Sequence, residues 1–168
     1  YKWKYDEKDF ISFSHNLIQA VHNIHLKGFI HRDLKLENIV LDLFSIDKER
    51  GEFSFHPDSF SIIDFGSSLN VVNWYSNMNY ESLVHFRRTQ KYTPPEFINE
   101  GSLTDKYDIF SCGIILFSLI AGHFPNFNFS IDENNVICYF LPCDNMDDLF
   151  NEDCWKNVSN EIIRMIKS

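Results

Sequence analysis

The sequence predicts an α+β fold, mainly α-helical and built as one domain. Three observations carry that expectation. Phe10, Phe13, Leu17, Val21 and Ile24 recur every three or four positions, the stripe of an amphipathic helix. From Ile109 to Ala121 the chain is apolar on every side of a helical projection, the pattern of a helix buried all round. Phe29-Ile30, Ile39-Val40-Leu41 and Ser61-Ile62-Ile63 are short branched or aromatic runs beside charged clusters, and read as strands.

Taken in order, Tyr1 to Asp9 is charged and aromatic, a linker or the end of an earlier helix. The first helix runs from Phe10 and stops at Lys27-Gly28, where glycine can turn left-handed. His22 and His25 sit in it at i, i+3 without a third partner, and read as surface or packing residues. Asp42 to Ser59 carries a charged turn, Asp47-Lys48-Glu49-Arg50-Gly51, between Phe-rich segments. It reads as an extended hairpin, either docking a partner or a plain decoration. Ser61-Ile62-Ile63 delivers Asp64. Ser67 to Tyr80 is polar, Asn-rich and aperiodic, the pattern of a mobile loop. Thr104-Asp105 opens the apolar helix and Gly122 ends it. Asn126 to Asp153 is loop-rich; its acids Asp144, Asp147 and Asp148 lack EF-hand spacing and read as solvated charge. Trp155 to Lys167 reads as a final amphipathic helix with Ile162, Ile163 and Ile166 inward. No repeat, low-complexity tract or second domain is visible.

At 168 residues the chain can bury a real core. Its 17 phenylalanines read as core filler rather than a ligand surface. A net charge of −9 argues against nucleic acid and against an anionic membrane surface, and is compatible with basic peptides. The apolar run from Ile109 is too short for a membrane span. Cys112, Cys138, Cys143 and Cys154 form no C-x-x-C pair and no zinc spacing. Reduced thiols place the chain inside the cell, in the cytoplasm, with a Cys138–Cys143 disulfide as the minority reading.

Four motifs follow one another. They are His31-Arg32-Asp33-Leu34-Lys35-Leu36-Glu37-Asn38, Asp64-Phe65-Gly66, Tyr92-Thr93-Pro94-Pro95-Glu96 and Asp108-Ile109-Phe110-Ser111-Cys112-Gly113. Each alone is weak; together, in this order, they are specific. The array resembles the larger, C-terminal lobe of the eukaryotic-type Ser/Thr protein kinases, over nearly the whole chain. Residues 1–168 are then a partial kinase domain, truncated at both ends, with short β-hairpins around the catalytic loop and the N-terminal lobe absent.

The resemblance implies ATP and Mg²⁺ as cofactors and a Ser/Thr hydroxyl of a protein or peptide as acceptor. Asp33 is the expected base. Lys35 contacts the transferring phosphate, and a Lys two residues past the catalytic Asp points to Ser/Thr rather than Tyr. Thr89 bonds both. Asn38 and Asp64 are the expected metal ligands. Lys35, Asp64 and Val40 would meet ATP, Val40 joining Ile115 and Leu119 below the adenine. His31 and Phe65 would stack on an anchor at Asp108, with Gly66 completing the second motif. Arg32 would meet an activating phosphate, for which Ser82 is the nearest hydroxyl, with Tyr80 and Ser76 behind it. Glu37 matches a position that favours basic peptides. Glu96 would be a buried structural carboxylate.

Three departures accompany the resemblance. Arg88 stands before Thr89 where the family has Gly. No glycine-rich loop, strand Lys or helix Glu occurs before His31, so a missing lobe in cis is expected to cover ATP and the chain alone to be inactive. The family's later Arg partner for Glu96 is also missing; Arg164 lies before that position. A non-catalytic kinase-like binding module is the alternative, though such a module has no physical need for Asp33, Lys35, Asn38 and Asp64 together. A metal-dependent hydrolase using Asp33 and Asp64 lacks motif support.

Overall fold

Asp6 starts the first long element. Its carboxylate accepts hydrogen bonds from Lys8 N at 2.9 Å and Asp9 N at 3.3 Å, capping helix α1, Glu7–Leu26. Glu7 and Asp9 then lie in the first turn, where acidic residues suit the helix dipole. The segment expected to be a linker up to Asp9 thus supplies the cap and first turn. Phe10, Phe13, Leu17 and Val21 are buried, each burial stabilising by about 1.5–3 kcal/mol. Gly28, at φ 78°, turns the chain out of the helix. The computed structural model describes residues 2–3, 6–49, 52–71, 89–126, 128–131, 137–140 and 146–167. Ser82, Tyr80, Ser76, Arg88, Cys143 and Asp144 lie outside them.

Strand β1, Lys2–Trp3, pairs in parallel with β4, Glu52–Ile62, which pairs antiparallel with β3, Ile39–Asp47. The expected hairpin is present, and it begins directly after Asn38. Strand β2, Phe29–Ile30, pairs with β5, Leu69–Asn70, bringing the two motif-bearing loops side by side.

Helix α2, Pro95–Glu100, starts with Pro in its first turn and ends at Gly101, φ 66°. Helix α3, Lys106–Ala121, is the centre of the molecule. Thr104 Oγ1 accepts from Lys106 N at its start, and Gly122, φ 77°, closes it with an amide bond to Ser118 O. Residues Ile114 to Ser118 are buried, while Ile109 is 40% exposed and departs from the all-round burial expected. The main core joins α1 and α3 to Trp155, whose ring lies 4.9 Å from Phe117 and 4.7 Å from Phe150.

Two expectations near the C-terminus need correction. Trp155 ends a 3₁₀ turn, Asp153–Trp155, and the last helix, α4, spans only Asn160–Lys167. Ser159 Oγ accepts from Ile162 N at 3.4 Å, so the chain restarts a helix there rather than continuing one. Ile162 is buried; Ile163 and Ile166 are only partly covered. Asn126 to Asp153, expected to be loop-rich, holds an antiparallel pair, β6 Asn128–Ile131 and β7 Ile137–Phe140. Its signal was two apolar runs around the polar Asp132-Glu133-Asn134-Asn135. Cys112 is a free thiol, and burial pushes its pKa far up.

Candidate active site

The loop from His31 to Asn38 hangs between β2 and β3, fixed from below by one buried carboxylate. Asp108, on the first turn of α3, is fully buried. Its Oδ2 accepts from His31 N at 2.8 Å and its Oδ1 from Arg32 N at 2.9 Å. Those two bonds hold Arg32 at φ 66°, a left-handed conformation that costs a non-glycine residue about 1–2 kcal/mol. Oδ2 also accepts from His25 Nε2 at 2.8 Å. In the sequence His22 and His25 are alike, two histidines one turn apart in the same helix. His22 is exposed, whereas His25 completes this anchor. Only the distant Asp108 distinguishes them, so no local signal was available.

His31 ties the loop to the second motif. Its Nε2 donates to Ile63 O at 3.0 Å while Nδ1 accepts from Asp33 N at 3.3 Å, so the Nε2–H tautomer satisfies both. Its ring lies 4.7 Å from that of Phe65. Asp64, at φ 63°, caps the turn Phe65–Ser67 by accepting from Gly66 N at 3.3 Å. A Cβ on Gly66 would sit 3.2 Å from Asp64 Oδ1, so glycine lets the turn close. Arg32 Nε donates to Ser67 O at 2.7 Å, a second tether. Burial lowers the Arg32 pKa, opposed by Tyr107 and Asp108.

The polar centre is a triangle. Lys35 Nζ donates to Asp33 Oδ2 at 2.6 Å and to Thr89 Oγ1 at 3.3 Å, and Thr89 Oγ1 donates to Asp33 Oδ1 at 2.9 Å. Asn38, buried, donates through Nδ2 to Asp33 O at 2.8 Å and Oδ2 at 3.3 Å, leaving Oδ1 as its acceptor. Residues 54 to 56 positions apart are thus brought into hydrogen-bond contact.

The sequence model described as "Protein kinase domain" matches residues 1–168. The chain belongs to the protein kinase family. It is 31% identical over 150 residues to "Probable serine/threonine-protein kinase 2" of Plasmodium falciparum, covering 88% of this chain and 24% of that protein. It is 36% identical over 126 residues to "CBL-interacting serine/threonine-protein kinase 13" of Arabidopsis thaliana, 74% of this chain and 21% of that one. With the "Calcium and calcium/calmodulin-dependent serine/threonine-protein kinase" of Pisum sativum, identity is 28% over 165 residues, 98% and 27% of the two chains. The chain therefore spans about a quarter of the length of these relatives.

Other positions of this kinase chain depart from expectation or add to it. Glu96 is exposed rather than buried. It lies at the start of α2, on the rim of a cavity of about 480 Å³ lined by Phe110, Phe117 and Phe150. Val40 is 50% exposed, beside the motif, whereas Ile115 is fully buried and Leu119 partly so. Glu37 is exposed. Tyr92 was not singled out for its side chain, yet its hydroxyl accepts from Leu36 N at 3.3 Å beside Lys35. Burial raises its pKa to about 12, and the neighbouring Glu37 and Asp33 add to the rise.

Asn38 Oδ1 and the exposed Asp64 carboxylate are hard oxygen donors, a set suited to Mg²⁺, which takes one or two protein oxygens and completes its shell with water and phosphate. Among the described residues no three His, Cys, Asp or Glu cluster into a metal cage, and no helix is long and apolar enough to cross a membrane.

Proposed function

We propose that this chain is the catalytic-loop lobe of an ATP- and Mg²⁺-dependent kinase that phosphorylates Ser or Thr of proteins. The observation that carries the reading is the Asp33–Lys35–Thr89 triangle. Asp33 has one oxygen toward Thr89 and the other toward Lys35, so its carboxylate is oriented before substrate arrives. An acceptor hydroxyl beside it gives its proton to Asp33 as its oxygen attacks the γ-phosphorus of ATP, and the bond from that phosphorus to the β–γ bridging oxygen breaks to release ADP. Lys35 then leans on the transferring phosphoryl oxygens, where negative charge is spread. Thr89, bonded to both, keeps the two aligned. Asn38 Oδ1 and Asp64 would hold Mg²⁺, which supplies charge neutralisation on the phosphates. Holding groups in place in this way is where most of the acceleration of such a transfer resides.

The reading extends to three finer points. Glu37, exposed at the loop's rim, favours Lys or Arg upstream of the acceptor, weakly, as one rim carboxylate should. A phosphate on Ser82 would pair with Arg32. A glycine-rich loop, strand Lys and helix Glu have no counterpart in the sequence, so adenine and the outer phosphates need a second lobe.

The test compares Asp33→Ala and Asp64→Ala in the full-length protein, using radiolabelled ATP and nucleotide binding. Asp33→Ala should cut kcat by roughly 100-fold or more while leaving nucleotide affinity near wild type. Asp64→Ala should abolish Mg·ATP binding. Near-wild-type activity in both would overturn the roles given to Asp33 and Asp64, and no phosphate transfer by the wild type would leave the binding-module alternative.

A further inference from the structure

The hairpin of β3 and β4 joins the candidate site at both ends. Strand β3 begins at Ile39, directly after Asn38, and β4 ends at Ile62, just before Ile63 and Asp64. The two candidate cation ligands are therefore the two feet of one hairpin. At the feet, Ile39 lies opposite Ile62, and Ile63 N donates to Asn38 O at 2.9 Å. Farther out the ladder is irregular, with register shifts between Leu41 and Leu43 and between Leu43 and Ser45. An irregular ladder twists and bends a hairpin, so pairing alone fixes its direction poorly.

A second hold comes from α1. Asp58 Oδ1 accepts from Ser12 Oγ at 2.9 Å and from Asn16 Nδ2 at 2.6 Å, and the same amide reaches Pro57 O at 3.4 Å. Ser12 and Asn16 are one helical turn apart and share a face. Phe60 packs edge-on against the buried Phe13 at 5.3 Å, so an apolar contact sits beside the polar one. The clasp contains none of the residues assigned to phosphoryl transfer above. It joins β4, just upstream of Asp64, to the helix whose far end carries His25 and the Asp108 anchor.

We infer that Asp58 is a positioning residue, which by clasping β4 to α1 sets the spacing of Asn38 and Asp64 and so the affinity of the site for Mg·ATP. This rests on the kinase reading. It gives the long hairpin a job within the chain, as a strut between the first helix and the cation ligands. A carboxylate suits that job because one oxygen can take both donors at once.

The experiment uses the full-length protein with Asp58→Ala, Asp58→Asn and the pair Ser12→Ala with Asn16→Ala. Losing one or two hydrogen bonds to a charged acceptor should raise KM for Mg·ATP about threefold to tenfold in Asp58→Ala, with kcat within about twofold. Asp58→Asn keeps an oxygen in the same place and should stay within about twofold of wild type. The Ser12/Asn16 pair should reproduce Asp58→Ala, and combining the two should add nothing, as for partners in one contact. A lowered melting temperature with unchanged KM for Mg·ATP would make the clasp merely structural and overturn the inference. Hydrogen exchange at the Ile63 amide gives a readout without activity: it should quicken in Asp58→Ala, and unchanged exchange also overturns the inference. If the wild-type protein transfers no phosphate the kinase reading fails, and the Ile63 amide still decides whether Asp58 holds the feet together.

Discussion

Replacing Asp108 by Asn changes one oxygen for an N–H₂ and almost nothing in volume. The site cannot absorb the change. Three donors converge on the carboxylate, from His25, His31 and Arg32, and the last two are backbone amides with no alternative role. His25 can switch tautomer and accept from the new amide, but at least one backbone N–H loses an acceptor or faces a donor. Bonds to a charged group contribute about 1.5–3 kcal/mol each, and a buried orphan costs about 1–3. The expected loss is about 2–4 kcal/mol, a large part of the ~5–15 kcal/mol that holds a domain together. For a chain of this size each kcal/mol lowers the melting temperature by about 2–4 °C. Urea unfolding followed by circular dichroism should show a lower midpoint at unchanged slope. His25→Gln is the control: it leaves the carboxylate both backbone amides and should cost only about 1 kcal/mol. If Asp108→Asn melts with the wild type, or no lower than His25→Gln, the loop from His31 to Asn38 is not held by Asp108 and the reasoning fails.

Two further outcomes test features away from the loop. His123 Nδ1 faces Phe124 O and its Nε2 faces Glu152 Oε2, each at 2.8 Å, so both nitrogens have acceptors. Its pKa is raised by the Phe124 carbonyl first of all, against partial burial and with help from Glu152. The stabilisation is therefore complete below the ordinary value of 6.5 and is lost as pH rises through the higher folded value. Wild type should melt above His123→Gln in mildly acidic buffer and converge with it in alkaline buffer; parallel curves would contradict this. Gly122→Ala should cost about 1 kcal/mol by backbone strain at φ 77°, although no atom lies within 4 Å of the new methyl. Gly113→Ala, with Ile166 O at an ordinary 3.6 Å, should be tolerated. Denaturant midpoints for the pair check both.

The long elements were legible because periodicity is a local property. The stripe from Phe10 to Val21 needs only a nearby apolar surface to become α1, and Gly28 and Gly122 mark ends wherever they fall. The family was legible from His31 to Asn38 for another reason: a motif is a set of residue types at fixed spacing along the chain, which can be read before any fold is known. Boundaries were less so. Asp6 moved the start of α1 earlier, and Ser159 split the expected final helix, because caps compete with continuation over only one or two hydrogen bonds.

Contacts between distant segments were decided by the tertiary structure alone. Nothing near His25 says that it, rather than His22, will meet Asp108, and nothing near Asp58 says that Ser12 and Asn16 will meet it. Glu96 is exposed because packing around α2 leaves its side chain at a cavity rim, an outcome no spacing encodes. The sequence determined which groups could do chemistry and which stretches would coil or extend. Folding decided which of those groups meet, because hydrogen bonds reach only about 3 Å and the partners are brought that close by burial of apolar faces elsewhere in the chain.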